Sequence, residues 1–254
     1  MMSRRAKQVL YSSSYLVVFL LISFFVYLIF FKTEASCFDK VQNQGEGGVD
    51  CGGPCSEICS SEVKPIEIVD EGKILRPYES HISLLSRINN PNPDYAARSF
   101  TYTFSLYDDK GSLIQNLSGE SFIYAGEVDR YILLANLNLT NKEVSRVSIK
   151  IQDEKWVKTE DFPQPKISIQ NQETVSRSDG VEIQGRVVNL DSVILPSVKI
   201  IGLFYGGFGQ IAGASESEVQ GLIPNESRSF SINHPPILNI NPKATRIFFF
   251  SRRP

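Results

Sequence analysis

Residues 9 to 31 form an uninterrupted run of 23 residues without a formal charge, most of them Leu, Ile, Val, Phe or Tyr. At about 1.5 Å per residue a helix of that length reaches roughly 34 Å, enough to cross the roughly 30 Å hydrocarbon layer of a bilayer. Arg4, Arg5 and Lys7 stand just before it. The preference for positive charge on the cytoplasmic side then keeps the N-terminus inside and sends the rest of the chain out. The expected localisation is the cell membrane, crossed once, with a cytoplasmic tail at 1–8, a transmembrane helix at 9–31 and an extracytoplasmic remainder. Two competing readings are a signal peptide cleaved after Ala35 and a lipoprotein acylated at Cys37. The run is longer than the usual 7–15-residue signal core, and Glu34 stands where a lipobox wants an apolar residue.

All four cysteines, Cys37, Cys51, Cys55 and Cys59, fall in the segment 32–63. An even number of cysteines outside the cytoplasm favours disulfides, so two bridges are expected, with three pairings open. Closing a loop of about 15 residues contributes on the order of 3 kcal/mol in the chain-entropy model, which a segment too short for its own core requires. Asp39, Asn43, Glu46 and Asp50 lie in the same glycine-rich loop and are hard oxygen donors of the kind calcium takes, although the EF-hand spacing is absent. The alternative is that these side chains cap turns or stay solvated. Zinc on four thiolates fits the ligand type but not an oxidising compartment. The spacing lacks the Cys-x-x-Cys redox pattern.

The residues Cys37, Asp39, Asn43, Glu46, Gly48, Asp50, Cys51, Gly52, Gly53 and Cys55 make this segment similar to a motif of bacterial and archaeal surface proteins, C-x-D-G-x-x-N-x-x-E-x-G-x-D-C-G-G-x-C. Lys40 replaces the motif's first glycine. The resemblance implies a small structural knot near the membrane and supplies no catalytic role.

Beyond about residue 64 the apolar pattern alternates. Phe100, Tyr102, Phe104 and Leu106 point one way and Ser99, Thr101, Thr103 and Ser105 the other, as in a strand with one buried face. Ile82, Leu84 and Ile88 alternate similarly, and no helical period of useful length follows residue 31. The pattern then returns. Leu106-Tyr107 through Leu113 aligns with Phe204-Tyr205 through Ile211, 98 positions on. Arg87-Ile88-Asn89-Asn90 pairs with Arg186-Val187-Val188-Asn189 and Gly126-Glu127 with Asn225-Glu226 at an offset of 99, and Ser145-Arg146-Val147 pairs with Thr245-Arg246-Ile247 at 100. A register held over four strands predicts two related antiparallel β-sandwiches of immunoglobulin or fibronectin type, at 64–160 and 161–254. Asp161-Phe162-Pro163-Gln164-Pro165 reads as a short, stiff linker. The fold class expected is mostly β: one transmembrane helix, a disulfide-rich segment and two tandem sandwiches.

Phe104-Ser105-Leu106-Tyr107-Asp108, followed by a turn at Asp109-Lys110-Gly111, resembles the signature of FxLYD-type domains of bacterial envelope proteins, and Asn89-Asn90 and Gly126-Glu127 fit the same pattern. The second copy is degenerate, with Phe204-Tyr205-Gly206 in that place. The resemblance implies a sandwich fold at a cell surface.

Chemistry-bearing patterns are sparse. The two histidines, His81 and His234, are not a repeated pair and read as ordinary surface residues. Neither a nucleophile elbow nor a phosphate-cradling glycine loop is present. Charge is balanced, 26 basic against 28 acidic residues, without the basic stripe nucleic acid needs. Asn116, Asn138 and Asn225 open glycosylation sequons. The aromatic, glycine-rich hairpin around Tyr205 and Phe208 is the candidate binding feature of the second sandwich; the plainer reading puts Phe204 and Phe208 in the core. Phe248, Phe249 and Phe250 read as a closing strand. The expectation is a membrane-anchored, non-catalytic binding or scaffold module that contacts another envelope protein or a cell-wall macromolecule. A calcium-binding or solute-sensing module is the alternative, and an enzyme is the least supported class.

Overall fold

In the computed structural model, which describes residues 4–30, 36–55, 57–59, 61–78, 81–138 and 144–254, the apolar run forms helix α1 (Arg4–Phe30). Its stretch Lys7–Tyr27 is long and apolar enough to cross a membrane. Leu16, Phe19, Leu20 and Phe25 are all exposed, so this stretch is apolar on every side and is not buried, unlike an amphipathic core helix. Phe31 lies outside the described residues. Residues 1–59 and 60–254 are separate compact units.

Among the described residues the second unit has twelve strands: β1 (Glu67–Tyr78), β2 (His81–Asn89), β3 (Tyr95–Tyr107), β4 (Leu113–Ile123), β5 (Arg130–Asn138) and β6 (Arg146–Lys158), then β7 (Ile167–Ser176), β8 (Val181–Asn189), β9 (Leu195–Tyr205), β10 (Ile211–Leu222), β11 (Ser227–His234) and β12 (Arg246–Ser251). The first six form sheets β1-β2-β5 and β4-β3-β6; the last six repeat the order as β7-β8-β11 and β10-β9-β12. Every pairing is antiparallel. Each pair of sheets closes on its own core. Phe100, Tyr102, Phe104 and Leu106 of β3 meet Ile82, Leu84 and Ile88 of β2 in the first. Val198, Ile200 and Phe204 of β9 meet Val181, Ile183 and Val187 of β8 in the second. Phe104 and Phe204 are both fully buried, and Tyr102 meets the Phe104 ring edge-on at 5.9 Å.

The two hairpins β3–β4 and β9–β10 superimpose at the 98-residue offset: Tyr107 pairs with Leu113 and Tyr205 with Ile211. The counterpart of Phe104 is therefore Gly202. A Cβ there would lie 2.5 Å from Ile183 Cδ1, with Ile232 next nearest, so isoleucines from the facing sheet fill the space that a phenylalanine ring takes in the first copy.

The loops repeat as closely as the strands. Asn90 Nδ2 donates to the Tyr95 and Tyr124 carbonyls, at 2.7 and 2.8 Å. Asn189 Nδ2 does the same to Val193 and Leu222, both at 2.9 Å. Both asparagines are buried and stitch three backbone segments together, which is how interior loops satisfy their polar groups. The turns Tyr124–Glu127 and Ile223–Glu226 place Gly126 and Asn225 at φ of 61° each, and the closing glutamate accepts the first residue's N–H at 2.8 and 2.9 Å. The aligned pair Gly126-Glu127 and Asn225-Glu226 thus has a physical basis: glycine and asparagine are the residues that tolerate the left-handed region.

The sandwiches are also packed on each other. Leu75, Leu85, Tyr131 and Leu133 from sheet β1-β2-β5 form a third core with Ile201, Leu203 and Ala214 from sheet β10-β9-β12. The four sheets consequently stack in one series, and in the two middle ones β2 and the second half of β9 are buried on both faces. The expected alternation in β2 fails for this reason: Ser83 and Leu85 are as buried as Ile82 and Leu84. The linker is likewise docked instead of standing free. Phe162 stacks on Tyr124 at 5.1 Å and meets Phe122 edge-on at 5.7 Å, and Arg98 Nη2 donates to the Asp161 carbonyl at 3.1 Å.

Candidate functional site

The cysteine segment closes through Cys37–Cys55 and Cys51–Cys59, interlaced bridges with sequence separations of 18 and 8. Gly48 and Cys51 form a small bridge of backbone in it. The four candidate calcium donors are gathered into this loop, and their carboxylates accept protein N–H groups. Asp39 takes the Val41 N–H at 2.9 Å, the Asn43 amide at 2.9 Å and the Ser36 N–H at 3.2 Å. Those bonds, the Asn43 amide first, lower the Asp39 carboxyl below its ordinary pKa. Asp50 accepts the Lys40 N–H with both oxygens, and Glu46 accepts those of Asn43 and Asp50. This is turn-capping chemistry. Lys40 sits at a φ of 62°, the left-handed backbone that makes glycine the motif's usual residue there. Glu46 also lies 3.1 Å from Cys55 Sγ, but a disulfide sulfur has no proton to donate, and the grouping Cys37, Glu46 and Cys55 offers no thiolate to a metal.

The aromatic hairpin divides between the two expected readings. Phe204 fills the second core, whereas Phe208 is 95% exposed. The core expectation therefore fails for Phe208, because Gly209, at a φ of 79°, turns the chain before another strand position is reached. Tyr205 is half-buried beside the third core. The tip is held by backbone bonds to the loop between β11 and β12: Gly207 N–H donates to Asn239 O at 2.7 Å and Asn241 N–H to Tyr205 O at 2.8 Å. That brace brings Leu238, 93% exposed, to the same end as Phe208. Leu238 was not legible as a surface residue in Pro235-Pro236-Ile237-Leu238, where Ile237 packs inward.

His234 is buried, contrary to the surface expectation, with its ring 4.9 Å from Phe204. Burial lowers its pKa, against the opposing bond of Nδ1 to the Pro235 carbonyl at 2.8 Å. His81 opens β2. The bond of His234 Nδ1 is to a carbonyl oxygen and not to a nucleophile.

Where the sandwiches meet, charge and rings are layered. Arg130 is buried with its guanidinium 3.9 Å from the Phe250 ring and 4.5 Å from Phe122, pairs with Glu127 at 3.1 Å and donates to the Phe122 carbonyl at 2.8 Å. Desolvation lowers its pKa, opposed by Glu127. Tyr124 donates its hydroxyl across the junction to the Ser251 carbonyl. Beside this seam a cleft of about 390 Å³ opens between the sheets, walled by Phe122, Tyr131, Leu133, Ile201 and Phe250 and reached by Tyr102, Glu120, Lys199 and Glu216. Sequence reasoning missed it entirely, since its walls come from both copies of the repeat.

No family model matches the chain, and no curated protein matches it. Among solved structures, the crystal structure of red sea bream transglutaminase is similar over 74% of this chain and 31% of that one, at a TM-score of 0.24 and 8% identity. This chain thus spans about a third of the length of that enzyme, and a likeness this low bears on neither fold nor chemistry.

Proposed function

We propose that this chain is a single-pass, N-in membrane protein whose extracytoplasmic part is a non-catalytic binding or scaffold module of the cell envelope, working in adhesion or assembly. Helix α1 with Arg4, Arg5 and Lys7 before it supports the anchor and its orientation. Two disulfides support the oxidising side. The observation that carries the binding reading is the tip, where a braced loop pair holds Phe208 and Leu238 almost fully in solvent. Large apolar side chains kept exposed on a rigid support mark contact surfaces.

The partner on this reading is another envelope protein or a cell-wall macromolecule. A photo-cross-linking residue at position 208, in intact cells, is expected to yield one discrete adduct that the same residue at Thr103 does not. The absence of any adduct at 208, together with substrate turnover by the purified protein that His234→Ala abolishes, would replace the binding module by an enzyme.

A further inference from the structure

The cleft between the sandwiches has a feature that the repeat itself lacks. Tyr102 belongs to the first core, yet its ring crosses the neighbouring strand so that the hydroxyl reaches the cleft. Its cross-strand partner is Gly119, and a Cβ on that glycine would lie 2.4 Å from the Tyr102 oxygen. Any side chain at 119 would block the path. In the second copy the same two places hold Ile200 and Ser217, which pair with each other, so the tyrosine-over-glycine pair is not a requirement of the fold. Burial raises the Tyr102 pKa, with the nearby Glu216 carboxylate adding to the effect, so the hydroxyl stays protonated and able to donate.

Around that hydroxyl the cleft gathers Glu120 from the first sandwich and Lys199 and Glu216 from the second. Among the described residues none of these three side chains makes an ion pair or hydrogen bond, and the Tyr102 hydroxyl makes none either. The size lies in the lower part of the range for small-molecule sites, roughly 300–1,000 Å³. Charges of both signs in one small space disfavour a simple cation or anion, which one group attracts and the next repels. They suit a ligand whose every polar group both donates and accepts, as a hydroxyl does. The apolar wall requires that the same ligand also present a C–H face.

We propose that this cleft binds a mono- or disaccharide, with its hydroxyls on Tyr102, Glu120, Lys199 and Glu216 and its apolar face against the Phe122 and Leu133 wall. The site is separate from the Phe208 tip and rests on the extracytoplasmic reading only in the choice of probes. The test uses the full chain in nanodiscs of phosphatidylethanolamine and phosphatidylglycerol, avoiding sugar-headed detergents. Ligand-observed NMR is run with glucose, N-acetylglucosamine, cellobiose and N,N′-diacetylchitobiose at millimolar concentration.

At least one probe should bind saturably. Tyr102→Phe, which keeps the ring, should weaken it by about 2- to 10-fold, the equivalent of one hydrogen bond. Glu216→Gln, on an exposed position, should weaken it comparably, and Thr103→Ala should leave it unchanged. Saturation by none of the four sugars, or binding indifferent to both Tyr102→Phe and Glu216→Gln, would overturn the proposal. In either of those cases an adduct at position 208 that persists in Tyr102→Phe leaves the binding-module reading standing.

Discussion

Strands β3 and β9 hold the same place in the two sandwiches and bury the same inward face, but their outward faces have opposite chemistry. Outside β3 stand Ser99, Thr101, Thr103 and Ser105, with Ser148 and Lys150 beside them on β6. Outside β9 stand Ile201 and Leu203, with Phe248 and Phe250 on β12. The first set bonds along its own surface, Thr103 to Ser118 at 2.8 Å and Ser105 to Asn116 at 2.8 Å. The second set is covered by the other sandwich. The difference shows why the two sandwiches meet through these faces. The copies join through unlike faces, a head-to-tail contact that would continue indefinitely if every face were apolar. The outer faces at the two ends are polar, that of β3 and, with Glu182, Gln184 and Arg186, that of β8.

The sharpest way to break this comparison is a charge on each outward face. Ile201→Asp buries an unpaired carboxylate at a 1% exposed site and should destabilise the protein by more than about 4 kcal/mol. Thr103→Asp should cost at most about 1 kcal/mol, the span of strand preference. Equal losses in denaturant titrations would mean that the third core does not hold the sandwiches together.

A smaller effect tests where the copies agree. Asn90→Ala and Asn189→Ala each remove two bonds to loop carbonyls, of which the Tyr124 carbonyl keeps a second donor, the Glu127 N–H at 3.2 Å, and should each cost roughly 2–4 kcal/mol. The two losses should be similar, because the amide-to-carbonyl bonds are alike in the two copies. A twofold disparity measured by the same titration would show that one loop tolerates the change and that the repeat is looser than its geometry.

The smallest effect separates the copies by pH. Asn92 and Asp191 are equivalent: each donates its N–H to the buried asparagine two residues before it, and each side chain accepts a lysine backbone N–H, from Lys64 and Lys166 respectively. Only Asp191 titrates. Its bond from Arg253, at 2.8 Å to Nε, and those from the Ser192 and Lys166 N–H groups hold its carboxyl well below the ordinary 3.8. A depressed carboxyl pKa gives stability that is complete above the unfolded value and is lost as pH falls below about 4 towards the folded one. The second sandwich should lose about 1.5–3 kcal/mol across that fall, and Asp191→Asn should remove that part of the pH dependence while the first sandwich is unaffected. A pH profile unchanged by the substitution would place the acid sensitivity elsewhere.

Most of the strands were legible because a sheet with one wet face writes its period into the sequence, as β3 does from Ser99 to Leu106. The repeat was legible because its turns need particular residues: Asn90 and Asn189 to stitch loops, Gly126 and Asn225 for a left-handed backbone. The cysteine segment showed its residue types but not its pairing, since which sulfurs meet depends on how the loop folds. Phe208 and Leu238 were opaque for the same kind of reason. An apolar residue in a glycine- or proline-rich turn has no period to say which way it faces, and the brace between the two loops links residues some thirty positions apart.

Sequence alone therefore determined the apolar helix, the cysteine-rich segment and two copies of one β-fold, all of which follow from local pattern, where a residue and its near neighbours carry the information. Tertiary structure alone decided that the sandwiches share a third core, that Arg130 lies between rings from both, and that Tyr102 looks over Gly119 into a cleft lined by the two. Tyr131 to Ala135 and Ile200 to Phe204 do show continuous apolar runs, the mark of strands buried on both faces. Such a run says that a second face is covered; only the folded chain says by what, because covering it costs nothing locally and depends on surfaces about a hundred residues apart in sequence.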